Sequence, residues 1–144
     1  MWIGLKRGSH RFWAAIAVAA LMLAAADPAV AKTVYVDGVN GNDAWDGLCE
    51  EWDGGACGPK KTIQAGISVA VNDDEVVVAD AVYSGTGNIK IQFFGKKITV
   101  RSKNGPDNCI VDILNGSDPG FHFENGEGVG SVLDGFTVRK CSGC

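Results

Sequence analysis

The chain has 144 residues, 46% hydrophobic and 21% charged, and its 13 Lys and Arg against 17 Asp and Glu leave a net charge of −4. It is long enough to bury one real core. With no run of basic residues, an acidic chain of this kind argues against nucleic acid as a partner.

Residues 1–31 read as a leader. Lys6, Arg7 and Arg11 make a basic start, Phe12 to Ala26 is an unbroken apolar run, and Ala29-Val30-Ala31 is a small-x-small site before Lys32. This is the layout of a secretory signal peptide. An uncleaved anchor is the alternative, and the shortness of the apolar run argues against it. Cleavage after Ala31 removes three basic residues and one acidic residue, Asp27, which leaves a more acidic chain. The expected location is secreted, cell-surface or periplasmic, with no membrane contact once the leader is gone. No later stretch is apolar enough to span a bilayer.

Lys32 to Val36 predicts a short strand. Asp37 to Gly58 is a long loop rich in Asp, Asn and Gly. Within it, Asp37, Asn42, Asp43 and Asp46 are candidate calcium ligands, because extracellular loops rich in oxygen bind that ion. The spacing is not that of an EF-hand: Val39 and Leu48 stand where Asp or Asn and Glu are required. An Asx-turn loop without metal is the competing reading. Cys49 and Cys57 flank a polar stretch and are the candidate disulfide, allowed by export. Trp45 and Trp52 lie on either side of Cys49, as sugar platforms or as a small loop core.

From Lys60 to Val71 the pattern predicts an amphipathic helix. Thr62 caps its start, and Ile63, Ile67 and Val71 form an inward stripe with Ala70 beside it. The cap unit is therefore expected over 32–74. Short β runs follow over 75–144: Glu75–Ala79, Ile89–Ile91, Lys97–Arg101, Cys109–Ile113, Phe121–Phe123 and Val132–Arg139. Cys109 sits in an apolar run and reads as a buried thiol. Cys141 and Cys144 have half-site spacing but lack a second pair, so a local disulfide or partners farther on are expected.

These runs match one another. Val76-Val77-Val78-Ala79 aligns with Ile98-Thr99-Val100-Arg101 at an offset of 22, and the same offset sets Ile89-Lys90-Ile91 over Val111-Asp112-Ile113. Ile98-Thr99-Val100-Arg101 also matches Phe136-Thr137-Val138-Arg139. Each run resembles another one circuit away, so Ser102 to Asn108 is expected to be a corner and not a hairpin turn. Stacked parallel strands with alternate residues inside make a solenoid. A small antiparallel sandwich is the alternative. On this alignment Arg101 stacks over Arg139 and Lys90 over Asp112. The two guanidiniums could hold an anion, or could simply meet loop carboxylates. His122, between Phe121 and Phe123, points away from the interior and has no nucleophile beside it.

The order of segments carries a resemblance. Val34-Tyr35-Val36-Asp37, Gly41-Asn42-Asp43, "KTIQAGISVA", "DEVVVADAVYSG", "GKKITVRSKNGPDNCIVD" and "VLDGFTVRKC" resemble the opening of secreted proteins of the pectin-lyase-like superfamily. The resemblance implies an all-β fold, a right-handed parallel β-helix (solenoid) with an N-terminal capping α-helix. It also implies truncation at the C-terminal end, so that remaining coils of the same chain are expected as a partner. Enzymes of that superfamily cleave acidic polysaccharides, commonly with calcium and a Lys or Arg base.

Two functional classes follow. One is a non-catalytic extracellular module that contacts polysaccharide or cell-surface glycan, with Arg101, Arg139, His122, Trp45 and Trp52 as candidate contacts. The other is the front part of a polysaccharide lyase or glycoside hydrolase whose active site lies on later coils. No catalytic set is visible in these residues, and calcium is the sole cofactor suggested.

Overall fold

The computed structural model describes residues 30–114 and 118–140. Nine short strands and one helix make up the described part. In chain order they are β1 (Thr33–Val36), α1 (Ile63–Val69), β2 (Glu75–Val78), β3 (Ala81–Ser84), β4 (Ile91–Gln92), β5 (Thr99–Ser102), β6 (Cys109–Ile113), β7 (Phe121–His122), β8 (Val132–Asp134) and β9 (Thr137–Lys140).

The strands form three sheets, β1-β2-β5-β8, β3-β6-β9 and β4-β7. Every pairing between them is parallel. The chain visits the sheets in the same order on each pass: β2, β3, β4, then β5, β6, β7, then β8 and β9. The fold is thus all-β apart from one short helix. The cause is visible locally: β-branched residues alternate with polar ones in these runs, and Gly, Asn and Asp separate them.

In-register stacking builds the interior. Val34, Val76 and Val100 are partners across β1, β2 and β5 and are fully buried. Leu133 extends that row. On the second sheet Tyr83 pairs with Val111 and Val111 with Val138. Ile91, Phe93 and Ile98 complete the core.

Helix α1 covers one end of this column. Thr62 Oγ1 accepts from the Ala65 N–H at 3.2 Å, which caps its first turn. Its buried face is Ile63, Gly66 and Ile67. Gly66 lies so close that an added Cβ would stand 2.5 Å from Val36 Cγ2 and 3.2 Å from Val76 Cγ1. Lys96 Nζ then donates to the carbonyls of Ile67, Ser68 and Ala70 at 2.7, 3.0 and 2.8 Å, which closes the C-terminal end of the helix.

Several expectations change here. The helix is shorter than Lys60–Val71, because Ala70 is already extended. Val71 therefore leaves the inward stripe and is 48% exposed. Strand β3 was hidden in sequence by the small residues around Tyr83. The run Val132–Arg139 divides into β8 and β9 at Gly135, whose φ of +75° makes a turn. The offset of 22 is also wrong: Val76 lies beside Val100, and β4 pairs with β7 and not with β6. The match of Ile98–Arg101 with Phe136–Arg139 fails too, because β5 pairs with β8 and Thr137–Lys140 belongs to the second sheet. Between β2 and β5 the error is two residues, which keeps the face of each side chain, since the strand period is two. That is why the inward residues were legible although the register was not. The corner reading of 102–108 holds, because β5 and β6 belong to different sheets.

Gly66→Leu should lower stability by about 1–3 kcal/mol through overpacking under the helix. Ser68→Ala, on the exposed side of the same helix, should change it by less than about 0.5 kcal/mol. Urea midpoints of the two variants check this, and equal midpoints would contradict the placement of the cap.

Candidate functional site: a cleft under the disulfide loop

The outward side chains of β1 and β2 do not all face water. Tyr35 and Val77 are register partners on the outer face, and Val77 is nonetheless buried. The 37–60 loop folds back over them and leaves a cleft of about 360 Å³. Tyr35, Val77 and Ala79 line its floor, and Trp52, Glu50 and Asp37 line its walls.

The loop is held from several sides. Tyr35 N–H donates to Gly47 O at 2.8 Å, and Lys60 N–H to Tyr35 O at 2.9 Å. Tyr83 reaches across from β3: its hydroxyl donates to Ala79 O at 2.9 Å and accepts from the Gly38 N–H at 3.1 Å. Burial, the largest cause, pushes this phenol well above its ordinary range, so it stays protonated. Lys103, on the turn after β5, pairs with Glu50 and ties the loop to the neighbouring rung.

Cys49 and Cys57 form the expected disulfide, with Cα atoms 5.3 Å apart. A disulfide fits an oxidising, non-cytoplasmic location. Among the described residues no helix is long and apolar enough to cross a membrane. The bridge closes the loop that carries Trp52. Trp45 and Trp52 stack with ring centroids 5.4 Å apart and planes 7° from parallel. Trp45 is backed by Gly58, where a Cβ would lie 2.5 Å from its ring. Trp52 stays 57% exposed, and its indole N–H donates to Gly55 O at 2.9 Å. The pair is thus both a loop core and a partly open aromatic surface.

Three of the four candidate calcium ligands are engaged in local turns, and the fourth, Asp43, bonds the start of the helix. Asp37 accepts from the Val39 and Asn40 N–H groups and from Asn40 Nδ2 at 2.8, 3.0 and 3.0 Å. Burial would raise its carboxyl, but the Asn40 and Val39 hydrogen bonds outweigh that and hold it below the ordinary value. Asn42 Oδ1 accepts from Ala44 N–H and Asp46 Oδ1 from Leu48 N–H, both at 2.9 Å. Asp43 accepts from Lys61 N–H, Thr62 N–H and Thr62 Oγ1 at 2.8, 2.9 and 3.0 Å, which fastens the loop to the start of α1. Among the described residues no three His, Cys, Asp or Glu side chains come together as a metal site.

The remaining candidates lie on separate faces. Arg101 is on the first sheet and is bound to Glu75, with Nε–Oε1 2.6 Å and Nη2–Oε2 3.2 Å. Arg139 is on the second sheet and pairs with Asp112 Oδ2 at 2.8 Å through Nη2. The expected stack of Arg101 over Arg139 does not form, and Lys90 meets Asp118 in place of Asp112. The cause is the register: Arg101 lies beside Val77 and Asp134, and Arg139 beside Asp112. His122 is on the third sheet beside Gln92, with Nδ1 3.6 Å from Glu124 Oε1. Cys109 is a buried free thiol, and burial pushes it up to about 12. Cys141 and Cys144 lie outside the described residues.

Sequence reasoning missed Tyr35 and Glu50. The alternation marks Tyr35 as outward, but nothing local shows that a distant loop roofs it.

Comparison of the chain with protein-family models, curated proteins and solved structures finds no match in any of the three.

Replacing Cys49 and Cys57 together by Ser should lower stability by about 2–3 kcal/mol, from the loop-closure entropy of so short a ring. Urea denaturation measures this. An unchanged midpoint would mean that the loop is held by its hydrogen bonds alone.

Proposed function

We propose that this chain is the capped front of a right-handed parallel β-helix in an exported protein, and that it acts there as a non-catalytic glycan-contacting module. What supports the architecture is the repeated order in which the chain visits three parallel sheets. Parallel crossovers within one sheet are right-handed in nearly all proteins. The segment order that resembles the pectin-lyase-like superfamily supports the same reading.

The observation that carries the function is the cleft, which sets an exposed indole beside carboxylates and a phenol. Sugars present an apolar ring face and a rim of hydroxyls, and this combination suits both. The charges choose among glycans. Asp37, Glu50 and Glu51 line the cleft against Lys103 alone, and Lys103 is already paired with Glu50. A polymer of sugar carboxylates would meet repulsion there. Arg101, which lies beside Val77 and could have offset it, is neutralised by Glu75, and Arg139 is on another sheet and paired with Asp112. The favoured ligand is therefore a neutral glycan, in contrast to the acidic polysaccharides that the resemblance implies.

Tryptophan emission, titrated with neutral and with uronate oligosaccharides, tests this. A neutral oligosaccharide should give a saturable change that Trp52→Ala removes, and a uronate one should bind at least about tenfold more weakly, a difference of about 1.4 kcal/mol. Equal or tighter binding of the uronate, or no response to either panel, would overturn the reading.

A further inference from the structure

Asp74 is a charged residue at a buried place. It is 2% exposed and sits between the end of the helix segment and the start of β2. Its two oxygens have neutral partners: Oδ2 accepts from the Val71 N–H at 2.9 Å, and Oδ1 accepts from the Lys32 N–H at 2.8 Å. Among the described residues no cationic side chain forms an ion pair with it. Lys96 attracts it through space, but the Lys96 ammonium is bonded to the helix carbonyls. Buried carboxylates are ordinarily paired with a cation, so this one is conspicuous.

The partner atom is the telling one. Lys32 nitrogen belongs to the Ala31–Lys32 peptide bond, the bond that follows the small-x-small site. Lys32 is fixed on its other side too, because its carbonyl accepts from the Glu75 N–H at 2.9 Å. Ahead of it Ala31 is exposed and Val30 is 85% exposed. The boundary between chain held by the fold and chain open to a peptidase therefore falls at this bond.

We propose that removal of the leader between Ala31 and Lys32 creates the missing cation, the α-ammonium of Lys32, which pairs with Asp74. A leader-removing peptidase adds water across the amide: Ala31 departs with a carboxylate, and Lys32 keeps its nitrogen as an amine that takes up a proton. A bond from a neutral N–H to the carboxylate becomes a bond between opposite charges without any movement of the chain, which adds Coulomb attraction to the hydrogen bond. Because Asp74 also holds Val71, the pair clamps the exit of the capping helix to the first strand. Processing thus completes the cap, and the exported chain is more stable than its precursor. Lys32 is itself an exposed residue, so the protection of the positively charged end would come from its bond to the buried Asp74 carboxylate.

The test uses the exported chain, produced with its leader in a secreting host. Terminal sequencing should find Lys32 first. A second chain that retains Ala31 places its ammonium one residue away, about 3.8 Å farther along the backbone. The α-amine of the Lys32-first chain should react with an acylating reagent at neutral pH at least tenfold more slowly than that of the Ala31-first chain, and its urea midpoint should be higher. Asp74→Asn should erase both differences; should that variant not fold, the two wild-type chains alone decide. Equal acylation rates and equal midpoints in those chains, or a mature terminus elsewhere, would overturn the proposal.

Discussion

The column of Val34, Val76 and Val100 sets the terms for the rest of the molecule. These three side chains are stacked by parallel registry and fully buried, and nothing along a stack of this kind closes its own end. Helix α1 meets that need. Its Gly66 lets it settle directly on Val36 and Val76, and Lys96 and Asp74 secure its far end from two sides. The seven-residue helix is too short to be stable alone, so its stability must come from this contact and these caps.

The same parallel stacking governs the charges. Neighbouring rungs bring side chains within reach on the outer faces, and the chain uses this to pair opposites: Arg101 with Glu75, Arg139 with Asp112 and Lys97 with Asp73. The more exposed of these, Lys97 with Asp73 and Arg101 with Glu75, contribute little each, whereas Arg139 neutralises a carboxylate that is buried at Asp112. They also neutralise both arginines of the described residues. The acidic cleft under the disulfide loop follows the same trend.

That loop shows how an irregular segment acquires a defined shape. Asp37, Asn42, Asp43 and Asp46 each satisfy nearby donors, and the disulfide and the stacked tryptophans close its tip. Oxygen-rich sequence is equally suited to metal binding and to turns. Here the oxygens are directed to separate turns and to the start of α1, and the result is a roof over Tyr35 and Val77.

By itself the sequence determined the alternation of inward and outward residues, the presence and capping of the helix, the Cys49–Cys57 pair and the corner at 102–108. All of these depend on neighbours within a few residues, or on a two-residue period that survives a misjudged offset. Tertiary structure alone decided the register, and with it the partners of Arg101, Arg139 and Lys90. It also decided that the helix stops before Val71, that Tyr83 anchors the loop at Gly38, and that Tyr35 becomes the floor of a cleft. Each of these is set by which distant segment lies 4–5 Å away across a sheet, and short Val- and Ile-rich runs fit several partners almost equally well. The choice among them is made by the whole stack, where one register buries Val34, Val76, Val100, Tyr83 and Val111 together.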